Sequence, residues 1–183
     1  MKQIIKQKSS EKVADFLKKN GLHKRDFAEM IGVTLSYVYN LIDETVPFST
    51  RGTTIERIAT VMSINPEEFN EYKIPQEPIL LDDTVATIKE YIRKNKMSVV
   101  SFLKSFPRKK RLDMVDVLRG SIPVSIDYKE LSLIGKTLNI PKEELFSIWE
   151  TRMKQVLTSA GMNIYNNSEL INSMFECAKK HIN

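Results

Sequence analysis

The sequence has little glycine, proline and cysteine, and each shortage narrows the class of protein. It contains 6 Gly and 7 Pro among 183 residues, and polar and apolar residues rarely alternate, which argues against a β-sheet protein. The single cysteine, Cys177, cannot form an intrachain disulfide, and the first residues lack the apolar stretch of a signal peptide, so we expect a cytoplasmic protein. No run approaches 18 apolar residues, so we expect no membrane-spanning helix.

Motifs for catalysis and for cofactor binding are missing as well. The two histidines, His23 and His181, are far apart, and there is no phosphate-binding glycine loop, zinc-ligand spacing or nucleophile motif. Cys177 and His181 form an i, i+4 pair, but two ligands do not make a metal site. We therefore expect no enzymatic activity, no cofactor and no metal.

The charge of the chain is unevenly distributed. The net charge is +5, yet residues 1–78 hold 11 basic and 11 acidic side chains, so the excess lies downstream. Residues 1–25 alone carry eight basic and two acidic side chains. This local excess predicts either an arm that contacts phosphates or a solvated tail.

The segment from Lys24 to Asp43 has the residue spacing of a helix-turn-helix. Phe27 and Ala28 lie on the inner face of a first helix, where the small Ala28 lets a second helix approach closely. Gly32 stands at the corner, where a positive φ angle costs little. The alternative interpretation is a helical hairpin within an ordinary core.

The second helix of this motif begins around Thr34 to Ser36 and turns Val38 and Leu41 inward. Its opposite face can enter a DNA major groove. That face carries Leu35, Ser36, Tyr39 and Asn40.

Capping signals delimit the other helices of a five-helix domain. Ser9 or Ser10 is expected to cap the first helix. Thr53 and Glu56 have the spacing of a capping box, and residues 65–68 supply a cap, a first-turn proline and a capping glutamate. Five short helices therefore fit into the first 73 residues.

Over residues 10–73 the chain resembles the Cro and phage-repressor type of helix-turn-helix family, also called the xenobiotic response element (XRE) family. The resemblance is carried by DFAEMIGVTLSYVYNLID from Asp26, by Pro47, and by TTIERIATVMSINPEEF from Thr53. It implies an all-α, lambda-repressor-like domain of a bacterial or phage transcriptional regulator. Such a domain binds double-stranded DNA and would read the major groove with the helix near residues 35–43.

The resemblance also implies roles for individual residues. Leu35, Ser36, Tyr39 and Asn40 would face bases, and the residues near the DNA backbone would be Lys24, Arg25, Thr34 and Tyr37. Two positions depart from the family pattern. Ile42 replaces a frequent glutamate, and the loop of residues 46–53 is about three residues longer, which adds Arg51 as a phosphate contact. The departures leave open a protein-interaction module, antitoxin-like or anti-repressor, with the same fold.

The second half of the chain repeats parts of the first. At a spacing of 75 residues, FLKKNGL from Phe16 matches YIRKNKM from Tyr91. At a spacing of 76, IERIATVMSI from Ile55 matches LSLIGKTLNI from Leu131. We therefore expect a DNA-binding domain at residues 1–73 and a linker at residues 74–81. A degenerate helix-turn-helix-like copy is expected at residues 82–150, and a C-terminal helical extension at residues 151–183.

The copy differs from the first motif at the corner. Leu103 stands where the first motif has Ala28, and Pro107 stands where it has Gly32. A larger residue at the helix contact and a proline at the turn imply an altered crossing of the two helices.

A basic run follows in the copy. Residues 91–111 contain eight Lys and Arg and no acidic residue. The run is either a solvated helix face or a set of secondary phosphate contacts. Its last four residues are Arg108, Lys109, Lys110 and Arg111.

Near the C terminus, an apolar stripe at helical spacing follows Ser168, a candidate cap. The stripe consists of Leu170, Ile171, Met174, Phe175 and Ala178. An apolar stripe on a helix needs another apolar surface to cover it from water. It either folds back on the second domain or forms the contact of a homodimer.

Overall fold

The computed structural model describes residues 7–48, 50–73 and 83–181, and their regular structure is entirely helical. The expected linker at 74–81 and residues 1–6 of the basic arm lie outside this range. None of the described helices is long and apolar enough to cross a membrane. In chain order the α-helices are α1 Ser9–Lys19, α2 Lys24–Ile31, α3 Leu35–Ile42, α4 Gly52–Met62, α5 Asp83–Lys94, α6 Val99–Lys104, α7 Arg108–Arg119, α8 Tyr128–Leu138, α9 Lys142–Ser159 and α10 Ser168–His181, with a 3₁₀ helix at Pro66–Glu68.

The chain divides into two compact units, and both are discontinuous in sequence. Unit 1 comprises residues 1–81 and 96–122, and unit 2 comprises residues 82–95 and 123–183. Unit 1 therefore contains α1 to α4, α6 and α7, whereas α5 and α8 to α10 belong to unit 2. This division differs from the expected one, which assigned residues 82–150 to a single domain.

The difference arises from the packing of α7 within unit 1. Helix α7 packs against α2 and α4, and its apolar side chains Met114, Val115 and Leu118 are buried. Burying an apolar stripe is the main source of stability for a short helix, so its partner is the surface that covers the stripe. Residues 96–122 thus complete unit 1.

Two of the expected helix caps in unit 1 are wrong, and one is confirmed. Helix α1 begins at Ser9 with Lys8 as its N-cap, so both serines lie inside the helix, where they are buried. Helix α4 begins at Gly52, one residue before the expected cap Thr53. The Asn65 side chain does accept from the backbone N–H of Glu67 at 3.0 Å, but the element that it caps is only a short 3₁₀ helix.

In unit 2, α10 folds back on α9. Ile171 and Phe175 are buried in a cluster with Phe146, and Trp149 packs against that cluster. The rings of Trp149 and Phe175 meet edge to face at 5.7 Å. The stripe on α10 is therefore covered within the chain on one of its sides.

Candidate nucleic-acid interface

The turn between α2 and α3 has the geometry that the sequence predicts. Gly32 adopts the left-handed conformation with φ 72° and ψ 40°, and the N–H of Val33 donates to the carbonyl of Ala28 at 3.0 Å. The Thr34 hydroxyl oxygen then accepts from the N–H of Tyr37 at 3.2 Å and caps α3. These bonds satisfy the terminal backbone groups of both helices and fix the angle of the turn.

Helix α3 has one buried face and one open face. Val38 and Leu41 are buried, as the sequence predicts. On the opposite face Leu35 is 40% exposed and Tyr39 is 53% exposed. Ser36 and Asn40 are exposed beside them. The structure thus brings the four expected base-facing side chains onto one open surface.

The residues expected near the DNA backbone differ from one another in their surroundings. The Lys24 ammonium lies 5.2 Å from the centre of the Tyr39 ring, a cation–π contact that joins the start of α2 to the open face of α3. Arg25 is exposed, and its Nε lies 3.7 Å from Oε1 of Glu29. Arg51 is exposed at the N-cap of α4.

Ion pairs between α2 and α7 are the feature that the sequence did not reveal. Nη1 of Arg111 lies 3.3 Å from Oδ1 of Asp26. Arg108 lies 3.5 Å from Asp26 through Nη2 and 3.6 Å from Glu29 through Nε. We call these four residues the α2–α7 cluster. Two of the four expected secondary phosphate contacts therefore pair with carboxylates of the helix-turn-helix itself.

The two lysines of the same run differ in their surroundings. Nζ of Lys110 lies 3.8 Å from Oδ2 of Asp113, one turn further along α7. Lys109 is exposed and forms no ion pair with the carboxylates of the described residues. Lys109 could therefore bind an external phosphate without giving up an ion pair within the described residues.

A second polar cluster connects α7 to α4 through hydrogen bonds. Arg57 donates from Nε and Nη2 to the two carboxylate oxygens of Asp116, both at 2.8 Å. Arg119 donates to Glu56 at 2.6 Å and to Asp116 at 3.0 Å. Burial and the hydrogen bond to Glu56 raise the pKa of Tyr72 to about 12. Paired, two-point geometry of this kind makes charge-assisted hydrogen bonds strong and specific.

Within unit 1, α7 therefore attaches to α2 and α4, while the outer face of α3 remains open. A helix of this length with polar, aromatic and amide side chains on its open face has the dimensions to enter a major groove. The arrangement offers hydrogen-bond donors and acceptors but, among the described residues, no group of three or more potential metal ligands.

Comparison with known proteins adds one finding. Residues 12–75 match the family model of the Cro/C1-type HTH DNA-binding domain. Searches of curated proteins and of solved structures found no significant match. The matched segment runs from α1 through the 3₁₀ helix and ends before residues 82–150, so the degenerate copy rests on the sequence repeat alone.

Proposed function

Because residues 12–75 form a Cro/C1-type helix-turn-helix DNA-binding domain, we propose that the protein is a sequence-specific transcriptional regulator that reads the major groove with α3. The observation that carries the proposal is the open face of α3, where Leu35, Ser36, Tyr39 and Asn40 lie together. Base edges in the major groove present hydrogen-bond patterns that distinguish all four base pairs, and a helix face of this kind can read them.

Each proposed contact has a chemical reason. Asn40 can pair with N6 and N7 of adenine, and Leu35 can pack against a thymine methyl group. Ser36 and Tyr39 supply hydroxyls for base edges. The residues that we propose to lie near phosphates are Lys24, Arg25, Thr34, Tyr37 and Arg51.

The proposal is tested first by selection of preferred duplexes from a random pool. Binding of the selected and random duplexes is then measured by fluorescence polarisation at two salt concentrations. A regulator should bind its selected duplex at least about 10³-fold more tightly than random duplex. Equal affinity for every sequence would contradict sequence-specific reading.

The sharpest variant is Asn40→Ala. Loss of one bidentate contact should cost about 1 to 3 kcal/mol on the selected duplex and almost nothing on random duplex. The matched control is Asn70→Ala, an exposed asparagine of unit 1 outside the helix-turn-helix. If Asn40→Ala weakens selected and random duplex by the same factor, Asn40 does not read a base.

The exposed apolar area of α3 favours one alternative. Leu35 and Tyr39 are large side chains on the same open face, and such side chains also anchor protein interfaces. A wild-type protein that binds no duplex even at low salt would favour a protein-interaction module, antitoxin-like or anti-repressor, with α3 as its contact surface.

A further inference from the structure

Helix α10 has a second apolar face that the fold does not cover. While Ile171 and Phe175 are buried, Leu170 remains 58% exposed and Met174 remains 50% exposed. Cys177, also exposed, continues the same face one turn later. Positions i, i+4 and i+7 lie on one side of a helix, so these three side chains form a continuous surface. We call it the outer face of α10.

Charged and hydroxyl side chains line one edge of the outer face. All four are exposed, and the three charged ones form no ion pair within the described part of the chain. In order along α10 they are Glu169, Ser173, Glu176 and Lys180. The midpoint between Glu169 and Lys180 coincides with the midpoint between Ser173 and Glu176. Both midpoints lie between Met174 and Phe175.

This symmetry distinguishes an antiparallel from a parallel packing of two copies of α10. When two copies of α10 pack antiparallel about that point, Glu169 of one copy faces Lys180 of the other. The Ser173 hydroxyl likewise faces the Glu176 carboxylate, to which it can donate a hydrogen bond. In a parallel pair with a twofold axis, this edge of one copy would instead lie beside the opposite edge of the other copy, so neither complementary pair would form. The edge is therefore complementary to a second copy of itself in one orientation.

We propose that the outer face of α10 is a self-association surface, on which two copies of the chain pack antiparallel with their twofold axis beside Met174. Each copy covers Leu170 and Met174 of the other. The contact is isologous, as in most homodimers. A contact between two 14-residue helices is at the small end of specific interfaces, so dissociation in the micromolar range is expected. The proposal is independent of DNA binding.

The first test measures the mass of the full chain by sedimentation equilibrium from about 1 to 100 μM, a range that brackets a micromolar dissociation constant. Leu170→Asp and Met174→Asp should each weaken dimerisation at least about tenfold, because a charge would be buried in the contact. The control is Ile126→Asp, which alters another exposed apolar residue of unit 2. Circular dichroism verifies that each variant stays helical.

Two results would overturn the proposal. One is a wild-type chain that stays monomeric across this range. The other is a dimer that persists in both aspartate variants as it does in the Ile126→Asp control.

A charge exchange tests the orientation. Glu169→Lys and Lys180→Glu should each weaken the dimer, since each places like charges opposite one another. The double variant Glu169→Lys/Lys180→Glu should regain the wild-type dissociation constant. Failure of the double variant to recover would contradict the antiparallel arrangement.

Disulfide trapping gives a second, geometric test in a Cys177→Ser background. Two Met174→Cys residues would lie within about 2 Å along the helix axes, whereas two Leu170→Cys residues would lie about 13 Å apart at 1.5 Å per residue. Disulfides require Cα atoms within about 7 Å. Oxidation should therefore link Met174→Cys and spare Leu170→Cys. Equal linkage of both would show that the helices are not antiparallel about this axis.

Discussion

Gly32 is held by two constraints of different kinds. Its φ angle is +72°, and a Cβ atom added there would lie 2.9 Å from Cδ2 of Leu112 on α7. The positive φ angle disfavours any side chain, while the close contact involves the end of a flexible leucine that can move. We therefore expect Gly32→Ala to destabilise unit 1 by about 1 to 2 kcal/mol, mostly through the backbone.

Two other glycines allow the cost of the positive φ angle to be measured apart from the cost of the close contact. Gly21 has φ +54° with nothing within 4 Å of an added Cβ, and Gly52 has open space and no positive φ angle. Gly21→Ala should cost nearly as much as Gly32→Ala, whereas Gly52→Ala should be neutral or slightly stabilising. Urea unfolding of the three variants measures the differences. A much larger loss for Gly32→Ala than for Gly21→Ala would show that packing against Leu112 dominates.

At the scale of single elements, α7 is held on α2 by two arginines with unequal surroundings. The Arg111 side chain is 11% exposed, and the Arg108 side chain is 58% exposed, although both pair with Asp26. Exposed ion pairs contribute little, whereas removal of one partner from a buried pair leaves a charge without compensation. Arg111→Met should therefore cost about 1 to 3 kcal/mol, and Arg108→Met at most about 1 kcal/mol.

Urea denaturation measures both losses, and Asp26→Asn tests whether they arise from the same contact. If Arg111 acts through Asp26, the double variant Arg111→Met/Asp26→Asn should lose less than the sum of the two single losses. Equal losses for Arg108→Met and Arg111→Met would contradict the role assigned to burial.

The same helix shows what could be predicted from sequence and what could not. The helices of the helix-turn-helix have local signals: Gly32 for the corner, and Val38 and Leu41 for the inner face. All of these were confirmed. The docking of α7 has no local signal, because Arg111 and Asp26 are 85 residues apart. A basic run looks the same in sequence whether its side chains face solvent, phosphate or a distant carboxylate.

At the scale of the whole molecule, the ion pairs reduce the number of basic side chains in the run that are available to bind DNA phosphates. If all four residues from Arg108 to Arg111 bound phosphates, neutralising them would reduce the slope of log affinity against log salt by roughly 3 to 4. The α2–α7 cluster engages both arginines, which leaves Lys109 as the main candidate. Lys109→Gln should lower the slope by about 0.9. The same slope in Lys109→Gln and in the exposed control Lys129→Gln would exclude Lys109 as a phosphate contact.

The self-association of α10 and the reading of DNA by α3 together predict the symmetry of the target. A twofold dimer carries two reading helices related by the same axis, so the selected duplexes should be inverted repeats rather than single sites or direct repeats. Leu170→Asp should then bind the full repeat with no more affinity than a half-site, although its contacts with each half-site are unchanged. Polarisation titrations with full-repeat and half-site duplexes measure this directly. Selection of direct repeats would separate the two proposals, because α3 would still read sequence while α10 would not set the dimer axis.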